Sequence, residues 1–196
     1  MDITITKGST FSQVLRWTDG TLTYRAITAI TQAAPVSITS TAHGIPNGTP
    51  AAVSSVKGMT QINPDLGAPK DRDYRPATVV DANTITINGI NSASFSAYTS
   101  GGYIQYKTPY DLTGFTARMS IKAKIGGTEL LRLDTTNGRI AVNNTTKTIT
   151  LTIDAAITAA ITWAAGIYDL EMVSPTGVVT AIYSGAVLVV PEVTTT

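Results

Sequence analysis

The chain contains no cysteine, which removes disulfides, thiolate catalysis and cysteine-based zinc sites together. It has a single histidine, His43, in the turn-rich stretch TAHGIPNG. No nucleophile has a sequence-visible base or orienting acid beside it, so His43 reads as a turn residue bonding to backbone in preference to a general base or metal ligand. No apolar run approaches the ~18 residues of a membrane span. The longest, such as GAVLVV at 185–190, are strand-sized, and no membrane insertion is expected. Charge is scarce, with 14% of residues charged against about 25% in an ordinary domain. The formal net charge of +1 and the lack of any Lys/Arg cluster argue against a nucleic-acid partner, which needs a basic face to displace counterions. The opening MDITIT carries an acid where a secretory signal carries basic residues, so assembly in a cytoplasm is expected.

What is present is a hydrophobic share of 43%, enough for a core, with Thr, Ser, Asn and Gln left to cover the surface. That composition suits strands, and it suits surfaces partly occupied by partners. Residues 2–18 predict two short strands joined by KGST, with Gly8 at the turn and an end at TDG (18–20). In TARMSIKAKI, Ala117, Met119, Ile121, Ala123 and Ile125 share one face, and the alternate residues share the other. TELLRL (128–133) continues after the turn IGGT. KTITLTI (147–153) is expected to bury Ile149, Leu151 and Ile153. GIYDLEMVSP (166–175) is expected to bury Tyr168, Leu170 and Met172, and to form a hairpin with VVTAIYSGAVLVV (178–190). One helix is predicted over DAAITAAITWAAG (154–166), with Asp154 as N-cap and Gly166 as its stop. The polar tail PEVTTT (191–196) is expected to fray.

Between Ala26 and Tyr106 the texture changes to short strand-like pieces split by Pro, Gly and Asn. PDLGAPKDRDYRP (64–76) reads as an exposed loop, and ATVVDANTITINGI (77–90) as two strands around DAN. With 26–105 set aside, QVLRWTDG runs into TPYDLTGFTARMSI as an ordinary hairpin. Hairpin loops hold a few residues, so a whole domain inserted at the tip is the economical account. The expected fold is therefore all-β. It comprises an Ig-like β-sandwich with one short helix, built from 1–25 plus 106–196, and an inserted small β-barrel domain over 26–105.

Two resemblances attach to these pieces. An opening strand ending in W-x-D at Trp17–Asp19, D-L-T-G at 111–114, the TITLTI strand, the Ala/Thr helix, Y-D-L-E at 168–171 and the closing E-V-T resemble a family of small phage structural proteins. These in turn resemble the N-terminal domain of upper baseplate proteins of tailed bacteriophages. The pattern A-H-G-I-P-N-G, then G-M-T-Q-I-N, then F-S-A-Y-T-S-G-G is similar to the FCCH-type β-barrel, a module named after a half-domain of ubiquitin-activating enzymes that recurs in phage tail proteins. NGTPAAV lacks that module's usual acid after N-G, and PDLGAPKDRD replaces its tight turn. The name implies no ubiquitin chemistry, because no cysteine exists to form a thioester.

Candidate contact residues are Asp65, Lys70, Asp71, Arg72 and Tyr74 in the polar loop, with Tyr98 and Tyr103 nearby; Tyr98, Tyr103 and Tyr106 read as interface or packing aromatics before a binding cleft. Asp65, Asp71 and Asp73 match no EF-type calcium spacing and read as solvated loop acids. The Gly-Gly pairs at 101–102 and 126–127 read as turns, since neither has phosphate-binding spacing. Trp17 and Trp163 read as core anchors before carbohydrate platforms, and no carboxylate pair stands out as a glycosidase pair. No catalytic residue, cofactor or metal is expected. The resemblance implies a non-enzymatic virion structural protein, assembled in the host bacterial cytoplasm, whose partners are other virion proteins and copies of itself. A tail, baseplate or fibre-anchoring adaptor is the leading role. A capsid decoration protein, or a host-receptor module binding a surface glycan, are the alternatives.

Overall fold

The computed structural model describes residues 1–193 and is predominantly β. The chain divides into two compact units, one formed by Met1–Trp17 with the chain from Asp111 onward, the other by Thr18–Tyr110. In chain order, the first unit opens with β1 (Ile3–Thr6) and β2 (Phe11–Leu15). The second unit holds β3 (Thr18–Ala26), β4 (Ala29–Thr31), β5 (Val36–Thr39), β6 (Pro50–Lys57), β7 (Arg75–Val79), β8 (Thr84–Ile87) and β9 (Ser100–Pro109). The first unit resumes with β10 (Thr116–Lys122), β11 (Glu129–Asp134), β12 (Ile140–Asn143) and β13 (Thr148–Ile153). The helix α1 (Ala155–Ala159) follows, then β14 (Ala165–Val173) and β15 (Val179–Val190). The fraying expected of the tail falls, for 194–196, outside the described residues.

The first unit is a two-sheet sandwich, with strand orders β1-β15-β14-β10-β11 and β12-β13-β2. Three hairpins, β10–β11, β12–β13 and β14–β15, lie within sheets. The connections β1–β2, β2–β10, β11–β12 and β13–β14 cross between them, a Greek-key path of the immunoglobulin-like kind. Period-two alternation puts Ile149, Leu151 and Ile153 on the inner face of one sheet, and Met119, Ile121, Tyr168, Leu170 and Met172 on that of the other. All eight belong to one core, each at most 4% exposed.

Beyond the single pair Thr18–Pro109, the hairpin expected between residues 2–20 and 108–127 does not form. β2 pairs with β13, while β10 lies in the opposite sheet between β14 and β11. Alternation marks each segment as a half-buried strand, but it is equally satisfied by facing across a core and says nothing of the ladder partner. The two segments still meet: the Trp17 ring stands edge-to-face on Phe115, centroids 5.8 Å apart.

Other boundaries move for local reasons. TDG is not a strand end, because β3 begins at Thr18 and pairs with β9 from Thr18–Pro109 to Ala26–Tyr103. That pairing places both strands in the second unit, so the division falls after Trp17 and Tyr110 instead of at 25/26 and 105/106. The β10 alternation stops at Lys122; Ala123 is exposed and Ile125 is 92% exposed, since the chain reverses at Gly126 with φ +72°. The helix is five residues, not thirteen positions closed by Gly166. Asp154 starts it through its carbonyl, which accepts from Ile157 and Thr158 N–H, and not through its side chain. Gly166 instead sits in β14, where a Cβ would stand 2.9 Å from Ile121 Cγ2. Gly101 and Gly102 are likewise not a turn. They lie within β9, and a Cβ on Gly102 would come 2.5 Å from Val56 Cγ2 on β6.

The second unit is a seven-stranded row, β3-β9-β6-β7-β8-β5-β4. Its first and last strands, β3 and β4, are separated in the chain only by Ile27 and Thr28. Val36, Ile38, Ile85, Ile87, Ile104 and Tyr106 fill a core distinct from that of the sandwich.

Candidate functional site

The polar loop between β6 and β7 is organised by its own residues. Asp73 Oδ2 accepts the Lys70 N–H at 2.8 Å while Asp73 N–H returns to the Lys70 carbonyl at 2.8 Å, closing a single 3-10 turn over 71–73. The Arg72–Asp73 ion pair at 3.8 Å is solvent-facing and adds little. Asp65, Lys70, Asp71 and Arg72 are exposed. Tyr74 is half-buried and its hydroxyl oxygen accepts from Gln105 Nε2 at 2.6 Å. Gln105 and Tyr103 lie two apart on β9, on the face opposite the buried Ile104 and Tyr106. The loop is thereby pinned to the outer face of β9, where Tyr103 meets Tyr24 edge-to-face at 6.4 Å. Both rings are about half exposed. Tyr98 faces elsewhere: its hydroxyl lies 3.0 Å from the Gly101 carbonyl and 3.1 Å from that of Ile27, fastening the segment before β9. Of the predicted contact residues, Tyr74 is thus bonded to Gln105 and Tyr103 packed on Tyr24, whereas Tyr98 is a strut.

His43 is 2% exposed. Its Nδ1 accepts the Ile45 N–H at 3.0 Å and its Nε2 lies 2.9 Å from the Asp81 carbonyl, an arrangement satisfied when the proton is on Nε2. Its own carbonyl accepts from Arg25 Nε at 2.9 Å. The ring therefore ties two loops of the second unit together. Trp17 and Trp163 are partly buried against the sandwich core.

Two concave surfaces were not legible in the sequence. In the second unit a cleft of about 300 Å³ is lined by Gln61, Asp65, Arg75, Asn91 and Phe95 among others. Its members come from four separate chain segments, which only the fold brings together. In the first unit a broad groove of about 680 Å³ runs over the outward face of β10 and β14. Its lining is net basic, with Arg118, Lys122, Lys124 and Arg132 against Asp169 and Glu171. Arg118 meets Glu171 at 2.6 Å, while Arg132 is held from the groove's edge by Asp134 at 2.8 Å and Glu129 at 3.6 Å.

Comparison with protein-family models and with curated protein sequences returns no match. The chemistry must therefore be read from the chain itself.

Of the motifs that carry the phage resemblance, D-L-T-G and Y-D-L-E lie in the sandwich, whereas W-x-D straddles the division after Trp17. In D-L-T-G, the Asp111 carboxylate takes the Thr113 hydroxyl at 3.0 Å and the Lys147 ammonium at 3.1 Å. Leu112 N–H donates to Asn144 at 2.8 Å, and Gly114, at φ +70°, leaves room for Pro175. Lys147, then Thr113, hold the Asp111 carboxyl below its ordinary range. In Y-D-L-E, Tyr168 and Leu170 are core, and Glu171 pairs with Arg118 across to β10.

The turn from β11 to β12 is held by Asp134 and Asn137. Asp134 Oδ1 accepts the Thr136 hydroxyl and the Asn137 N–H, both at 2.7 Å, while Oδ2 accepts from Arg132 Nε. The Asn137 carboxamide lies along β11: its oxygen accepts the Asp134 N–H at 3.0 Å and its nitrogen donates to the Arg132 carbonyl at 3.1 Å. Thr136 foremost, with Arg132 and the Asn137 N–H, lowers the Asp134 carboxyl to about 2. A depressed folded-state value means that this contribution is full above the ordinary ~3.9 and is lost as the pH falls towards 2. Carboxyl NMR titration is expected to place the Asp134 midpoint near 2, with the Asn137 amide moving in parallel. A midpoint near the ordinary ~4 would mean that the turn stands open in solution.

Proposed function

We propose that the chain is a non-enzymatic structural protein of a tailed-bacteriophage virion. Its sandwich docks in a multi-copy tail, baseplate or fibre-anchoring assembly, and the inserted unit, read as a small barrel, serves as spacer or contact module. The observation that carries this reading is where the resemblance residues fall. D-L-T-G and Y-D-L-E occupy turn and core positions of a single unit, so the sequence likeness concerns a scaffold. The wide, net basic groove on the outward face of β10 and β14 is a shape suited to a partner surface. Low charge and threonine-rich outer faces agree with copies packed side by side.

The test uses the absence of native thiols. Lys70→Cys adds a unique, exposed attachment point for a gold label. Imaged on particles assembled with the variant, gold is expected at the tail or its tip. Gold spread over the head would support the capsid-decoration role instead, and particles without gold would overturn the virion reading.

A further inference from the structure

The cleft of the second unit holds polar groups that the fold does not use. Asp65 and Arg75 are exposed, and neither side chain has an ion-pair or hydrogen-bond partner among the described residues. Carboxylate and guanidinium thus line one cleft without closing on each other. Gln61 gives its Nε2 to Ser96 and keeps its carbonyl oxygen uncommitted, while Asn91 uses its oxygen on the Ala93 N–H and keeps its NH2 group. By contrast Asn63, also in the lining, is spent on both the N–H and the carbonyl of Val56 at 2.9 Å and is purely structural. The free set is therefore one anionic acceptor, one planar cationic donor, one neutral acceptor and one neutral donor. Phe95 and Ile90 supply apolar wall.

We propose that this cleft binds a neutral saccharide, one pyranose ring of a glycan. Vicinal sugar hydroxyls are both donors and acceptors at fixed spacing, and they can donate to Asp65 while accepting from Arg75 and Asn91. The C–H face of the ring has Phe95 and Ile90 to lie against. At about 300 Å³ the space is at the small end of ligand sites, fitting one ring and not a large cofactor. Two acids, Asp65 and Asp73, against one base, Arg75, give the lining a formal charge of −1, which disfavours phosphorylated or acidic ligands. Across the rim formed by Gly89, Ile90 and Asn91 lies a shallower, mainly apolar depression with Ala34 and Pro35, placed to take the next sugar of a chain. This inference does not depend on the virion reading, and either can fail without the other.

The test is an amide NMR titration of the full chain with methyl glycosides of glucose, galactose, mannose, rhamnose and N-acetylglucosamine, then with a homo-oligosaccharide of whichever binds. At least one glycoside is expected to shift the 61–65, Arg75 and 87–95 amides saturably at millimolar concentration, with the oligosaccharide at least about tenfold tighter and extending the shifts to Ala34. Asp65→Ala and Arg75→Ala, both at exposed positions, are each expected to weaken binding by about tenfold or more with the remaining spectrum unchanged. No saturable shift with any sugar up to about 50 mM would overturn the proposal. So would shifts centred on Tyr24 and Tyr103, or affinities indifferent to both substitutions.

Discussion

Replacing residues 18–110 with a short Gly-Asn-Gly linker is expected to leave a folded sandwich with dispersed NMR resonances and a single cooperative melt. The sandwich core draws every buried member from Met1–Trp17 and from Asp111 onward, and none from the excised segment. The cut is also short to bridge. Thr18 and Pro109 are paired residues of antiparallel strands, with Cα atoms about 5 Å apart. The ends left behind, Trp17 and Asp111, lie one and two residues past that pair, within reach of a three-residue linker. A sandwich of about 100 residues can carry the ~5–15 kcal/mol typical of such domains. The excised segment, expressed alone, is expected to fold too, because its own core is complete. A compact but dye-binding product without dispersed resonances would show that the division by contacts is not a division of stability.

His43→Ala is expected to lower the stability of the second unit by about 2–5 kcal/mol, since two buried backbone groups, Ile45 N–H and the Asp81 carbonyl, lose their partner at once. For a unit of this size the melting point should fall on the order of 10–30 °C. Calorimetry of the full chain separates the consequences. Only the transition belonging to the second unit is expected to move, and that of the sandwich should stay in place. Two transitions shifting together would mean that the units unfold as one, and an unchanged profile would mean that the ring holds nothing.

Much of the sandwich was legible because its strands are half-buried. Ile149, Leu151 and Ile153, or Tyr168, Leu170 and Met172, announce a strand and its inner face by alternation alone, and the β14–β15 hairpin is announced by the local turn SPTG. Ladder partners far apart in sequence carry no such local mark. The parallel pairing of β1 with β15 joins residues near opposite ends of the chain, and β2 finds β13 through packing alone. The alanine-rich stretch predicts a longer helix than α1 because its propensity is high whatever its tertiary role. Gly166 is explained by its neighbour Ile121, which no window around residue 166 contains. The same limit governs the site. A polar, Pro-rich loop is visible in sequence, but that Tyr74 is anchored on Gln105 while Asp65 faces Arg75's cleft depends on contacts between distant segments.

The side chain of Asn137 imitates a neighbouring strand. Its oxygen and nitrogen make to β11 the two bonds that an incoming peptide group would make, and Arg139 adds a third to the Arg132 carbonyl at 2.9 Å. β11 ends the five-stranded sheet, so without this cover its unpaired groups would be a template for aggregation. An incoming strand must first expel an amide already bonded at both ends. Strand addition at the C-terminal end of β11 is thereby opposed, by a side chain and not by a Pro, a bulge or a covering helix.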